Sequence, residues 1–140
     1  MKVFVDEDTG SSVGKALEAI GVEAFYVSAS KHSIIKSGDG DDVWLPIAGR
    51  NGWLVLTRNI RIIENEAERE LVISERVGMV FLPQHLSRFE LLRLILKKWD
   101  WLKAIDATVP RPFAFSVNPI GRTRRIDPIG PPVRARRQRT

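Results

Sequence analysis

Short apolar runs rich in β-branched and aromatic residues recur along this chain with helical segments between them, and no other feature constrains its fold as tightly. The runs are Lys2 to Val5, Ala24 to Val27, Trp53 to Leu56, Met79 to Leu82 and Phe113 to Val117. Between the first two, Val13, Ala16, Leu17 and Ile20 share a helical face, after the candidate capping residues Thr9, Ser11 and Ser12 and before Gly21. From Asp41, the residues Trp44, Leu45 and Ala48 share another, with Pro46 near the start and Gly49 and Gly52 as the stop. Ile63 to Glu75 reads as a polar helix. Ser87 to Lys103 reads as the strongest helix, with Leu91, Leu92, Leu94, Ile95, Trp99 and Leu102 forming one wide apolar stripe. Strands alternating with helices imply βαβ units joined by right-handed crossovers, so the expected fold is a single α/β domain with a parallel central sheet flanked by helices.

Charge divides the chain. Residues 120–140 carry seven arginines against one aspartate, +6, which leaves −1 for residues 1–119. The expected organisation is a folded domain over residues 1–118 followed by a basic, Pro/Arg-rich tail over 119–140. Arg122, Arg124, Arg125, Arg134, Arg136, Arg137 and Arg139 are its candidate nucleic-acid contacts, because dense arginine neutralises phosphates. The chain has no cysteine, which excludes a disulfide scaffold, thiolate zinc sites and a cysteine nucleophile. The apolar run at the N-terminus is too short for a secretory signal, and no stretch approaches a membrane span. A cytoplasmic protein with no membrane partner is expected.

Ligands of open α/β sheets bind beyond the C-terminal ends of the strands, and polar motifs stand there. Asp6-Glu7-Asp8 directly follows the first strand, and three adjacent acids repel one another unless cations compensate. Oxygen-only ligands suit Mg²⁺ or Mn²⁺. Asp39, Asp41 and Asp42 precede the Trp44 segment, where Asp41 is a candidate N-cap as well as a candidate ligand. Thr57-Arg58-Asn59 follows the third strand, with Thr57 and Asn59 offering neutral oxygens and Arg58 a phosphate contact. His32 and His85 lack metal-helix spacing and read as loop or capping residues. Trp44 and Trp99 read as core, and Trp101 as a candidate partner contact.

The order of these motifs resembles the PIN-like nuclease domains of the VapC-toxin and Mut7-C type. The segment DDVWLPIAGRNGWLVLTRN carries the most specific match: an acid, an alanine seven residues on, then glycine, an apolar run and T-x-D, with asparagine here in place of the final aspartate. The resemblance implies a catalytic set of Asp6, Asp41, its rival Asp42, and Asn59, with Asp6, Asp8 and Asp41 holding Mg²⁺ or Mn²⁺ and Thr57 and Arg58 in support. Asn59 cannot supply the charge of an aspartate, and Asp8, Glu64 or Glu66 are the candidates to compensate. The function so implied is a metal-dependent endoribonuclease, the toxin of a type II toxin–antitoxin pair, acting on tRNA or rRNA, with an antitoxin protein as partner and a homodimer left open. The alternative is a non-catalytic PIN-like module that binds RNA or protein.

Overall fold

The computed structural model describes residues 1–27, 35 and 38–126. His32 and the tail arginines Arg134, Arg136, Arg137 and Arg139 lie outside them. The elements are β1 (Lys2–Val5), α1 (Ser11–Ala19), β2 (Glu23–Tyr26), α2 (Asp41–Asn51), β3 (Leu54–Thr57), α3 (Arg61–Glu64), α4 (Glu66–Ser74), β4 (Gly78–Phe81), α5 (Arg88–Lys97), α6 (Trp99–Thr108), β5 (Phe113–Val117) and β6 (Thr123–Arg125). The sheet runs β2-β1-β3-β4-β5-β6; β6 alone is antiparallel to its neighbour.

Period-two alternation along each strand builds two cores. Phe25, Phe4, Val55, Met79 and Ala114 stand in one row across the sheet and meet Trp44, Leu45, Ala48, Ile62 and Val72 from α2, α3 and α4. Val5, Leu56 and Val80 face the other way, onto Val13 and Leu17 of α1 and Leu91, Leu94, Ile95 and Leu102 of α5 and α6. The chain leaves β1 in one direction through α1 and returns beside it through α2, so β1 and β3 are neighbours at the point where the strand order reverses. A crevice opens at their C-terminal ends.

Two helices shape that crevice. The glycine at position 49 lets α2 and α4 touch: a Cβ there would lie 2.2 Å from the Glu75 carbonyl oxygen. Asp41 opens α2 and Glu68 lies in the first turn of α4, while Gly49 and Glu75 meet near the far ends. The two helices therefore run alongside with both N-termini at the crevice.

Several expectations are corrected. Gly10, not Thr9 or a serine, precedes α1, and no side chain caps it. Gly40 is the N-cap of α2, so Asp41 is its first residue rather than its cap. The polar helix is two, α3 and α4, divided where Asn65 leaves helical geometry and accepts from the Glu68 N–H at 3.0 Å. The long helix breaks at Lys98 into α5 and α6. Trp101 packs edge-on against Phe115. Beyond residue 118, β6 pairs with β5 through Arg124 and Arg125.

Candidate active site

Asp6 is the first residue beyond β1 and is 4% exposed, so it is a buried acid, not a solvated one. Its Oδ1 accepts the Thr9 backbone N–H at 3.1 Å and the Thr9 hydroxyl at 2.5 Å; its Oδ2 accepts the Thr57 hydroxyl at 2.6 Å. Both threonines are fully buried. Burial raises the Asp6 carboxyl above its ordinary value, against these hydrogen bonds, which favour the ionised form, and with a further push from the charge of Asp8. A rigid strand end and two threonine hydroxyls thus hold one carboxylate in a single orientation.

Arg58 ties the neighbouring strand ends together. Its guanidinium donates to the carbonyls of Asp8 and of Gln84, the latter at 3.2 Å, and its backbone N–H donates to the Thr9 hydroxyl at 3.1 Å. Its Nε lies 4.0 Å from Asp8 Oδ2 and, though buried, makes no hydrogen bond. Asn59 accepts the Arg61 N–H on its Oδ1 at 3.2 Å, an Asx-turn at the entry to α3, whose N-cap is Ile60.

These residues open onto a cleft of about 590 Å³ lined by Asp6, Glu7, Asp8, Asp39, Asp41, Trp44, Arg58, Asn59 and Arg88. The structure therefore brings together Asp6, Asp8, Asp41, Arg58 and Asn59, with Thr57 directly behind Asp6. Asp42 is exposed and is not part of the lining. Glu64 and Glu66 are exposed on α3 and α4. Arg122, Arg124 and Arg125 lie across the sheet on the β5–β6 hairpin, and His85 is exposed beyond β4.

Three participants were not among the expected site residues. Thr9, by sequence a candidate helix cap, carries the signal of its role in the Asp-x-x-Thr spacing, which lets a carboxylate accept the N–H three residues on. Arg88 opens α5 and lies over Gly10, where a Cβ would stand 2.4 Å from its Nε. Glu68 is the third. Its carboxyl is pushed up to about 7, first by a hydrogen bond with Asp41, then by burial and by the charges of Asp41 and Asp42. No N–H or hydroxyl of the described residues reaches its buried Oε2, so a proton shared with Asp41, or a cation, has to satisfy it.

That orphaned oxygen and the carboxylates of Asp6 and Asp41 on the cleft fit a hard divalent cation in donor chemistry. Among the described residues, no three of His, Cys, Asp and Glu form a ready metal-holding group. No helix among them is long and apolar enough to cross a membrane. A family model described as a PIN like domain matches residues 1–84, the span that holds every one of these residues except Arg88. No curated protein and no solved structure matches the chain.

Proposed function

The chain belongs to the PIN-like domain family, commonly nucleases that use divalent metals, and from that premise we propose that it is a metal-dependent endoribonuclease of the VapC-toxin or Mut7-C type, the toxin of a type II toxin–antitoxin pair. The observation that carries the reading is the buried Asp6, oriented by Thr9 and Thr57 onto the same cleft as Asp41.

Asp6 and Asp41, with Glu68 behind Asp41 in place of the acid that Asn59 lacks, would hold Mg²⁺ or Mn²⁺. When bound, the ion supplies charge to activate a water and to stabilise the leaving ribose oxygen as the phosphodiester is hydrolysed. The protein's part is positioning. Thr9 and Thr57 hold the Asp6 carboxylate. Arg58 locks the β1, β3 and β4 ends against each other through the Asp8 and Gln84 carbonyls. Arg88 stands at the rim as the cation suited to draw in a phosphate. Trp44 walls the cleft with an apolar surface. No side-chain nucleophile is required.

A second reading, a PIN-like module that binds RNA or protein without cutting, is favoured by Asn59, whose Oδ1 accepts the Arg61 N–H and carries no charge. Incubating the purified protein with total RNA, with Mg²⁺ or with chelator, separates the two. The nuclease cleaves only with metal and binds Mn²⁺ in calorimetry through Asp6; RNA that stays intact under both conditions would leave the binding module.

A further inference from the structure

Helix α5 links the acid cleft to a second, basic groove. Arg88 at its first position lines the acid cleft. Further along, Glu90, Arg93, Leu94 and Lys97 line a groove of about 310 Å³ whose opposite wall is Pro119 and Ile120 of the β5–β6 turn. Lys97 joins the walls by donating to the Ile120 carbonyl at 3.3 Å, which leaves it two further N–H groups. Arg122, Arg124 and Arg125 follow on the same hairpin, with no acid between Pro119 and Ile126. The ion pairs of the described residues are Arg58–Asp8, Lys103–Asp100 and Arg111–Asp106, and none involves these cations. The groove's acid, Glu90, is already engaged, accepting from the Ser87 N–H at 3.1 Å in a capping box.

The outer ridge of α5 carries an apolar feature that the fold does not explain. Phe89 is 73% exposed, the most exposed large hydrophobic residue described, and Leu96 is 43% exposed. Phe89 and Arg93 are four residues apart and neighbours on the helix surface. An aromatic ring beside a guanidinium, next to cations that form no ion pair among the described residues, is the chemistry that stacks an unpaired base and holds its phosphates.

We infer that single-stranded RNA lies along α5, its phosphates on Arg93, Lys97 and Arg122, a base stacked on Phe89, and its chain led past Arg88 into the acid cleft. This deepens the nuclease reading and rests on it for the direction of the strand. Helix α5 is about 15 Å long, so cleft and groove fall within one short oligonucleotide. A base must be unstacked to meet Phe89, which selects single strands over duplex.

The test is binding without cleavage: fluorescence anisotropy of a labelled oligoadenylate in EDTA, titrated with salt. Arg93→Ala should lower the salt slope by about 0.7, as for one phosphate contact on a single strand. Phe89→Ala should weaken binding about five- to 150-fold with the slope unchanged. Neither side chain bonds to the turn, and thermal melts should show both variants folded. Arg50→Ala, at the far end of the sheet, should bind as the wild type does. Wild-type affinity and slope in both groove variants would overturn the inference even if the protein cuts RNA. Loss of binding in both would uphold the binding path even if no cleavage is found. Groove-dependent binding of an oligoglutamate peptide in preference to RNA would also overturn it, assigning the face to an acidic protein partner.

Discussion

The two ends of the sheet carry opposite charge and settle it in opposite ways. At the N-terminal ends of β4 and β5, a cleft of about 460 Å³ is lined by Gly49, Arg50, Ser74, Glu75, Arg76, Val109 and Arg111. Arg111 there is fully employed: it donates to the Trp53 carbonyl at 2.8 Å, pairs with Asp106, and lies over the Phe113 ring. The C-termini of α2 and α4 also reach this end, where basic side chains offset the negative ends of the helix dipoles. At the opposite end, the acids of the other cleft are crowded, Asp6 is buried, and Asp41 beside Glu68 pushes the Glu68 carboxyl up. At one end Arg111 is matched within the chain; the other end is left with a demand for cations. Unresolved electrostatic demand in a concave site marks function more than stability.

The largest expected effect tests the acid end. Asp6→Asn should lower RNA cleavage by on the order of 10²- to 10⁴-fold, while the protein still melts cooperatively. The amide retains the volume and one acceptor, and the Thr57 hydroxyl can turn to accept from the new NH₂ group, so the stability loss should stay near ~1 kcal/mol. Arg111→Ala should do the reverse. It removes a partly buried pair and a carbonyl contact, costs about 2–3 kcal/mol, and leaves the metal dependence of cleavage intact. A loss of cleavage in Arg111→Ala at temperatures where it is fully folded would break the division between the two ends.

Gly49→Ala probes the joint between them. Its Cβ would meet the Glu75 backbone, so the helices must separate at a cost of about 1–3 kcal/mol. Because α2 and α4 also carry Asp41 and Glu68, the variant should lose Mn²⁺ affinity as well as stability. Calorimetry showing full affinity in a destabilised variant would mean that the carboxyl pair is positioned independently of the helix contact.

How much of this is legible in the sequence follows from which forces build each part. The valine-rich runs of β1, β3 and β4 announce themselves because both faces of these strands are buried. Asp6 and Asp41 are readable because one ends a strand and the other opens an apolar helix. The break at Lys98 is hidden because Leu94, Ile95, Trp99 and Leu102 keep helical spacing across it, with no glycine or proline to mark it. β6 is hidden because its side chains are all exposed arginine and threonine; backbone pairing to Ser116 and Val117 makes it a strand, and its charge suits an edge. Glu68 looks like any surface glutamate of a polar helix. Only the contact through Gly49 turns it toward Asp41, and a contact between segments far apart in sequence leaves no local pattern.

The smallest effect is the most diagnostic. A carboxyl held near 7 in the folded chain and at its ordinary value near 4.5 when unfolded binds more protons in the native state. Its contribution to stability is therefore complete below about pH 4.5 and is lost as pH rises through about 7. Glu68→Gln keeps the donor and discards the charge. In chelator, its stability relative to wild type should rise between those limits and reach about 1 kcal/mol in its favour by pH 8, once solvent screening of a partly exposed group is allowed for. Added Mn²⁺ should reverse the order, because the ion offsets the charge of the Glu68 carboxylate in the wild type and finds one carboxylate fewer in the variant. Denaturant melts at both pH values, with and without Mn²⁺, read both signs. If Glu68→Gln is stabilised equally in chelator and in Mn²⁺, the pair is a structural burden on α4 and the cation demand at this end rests on Asp6 and Asp41 alone.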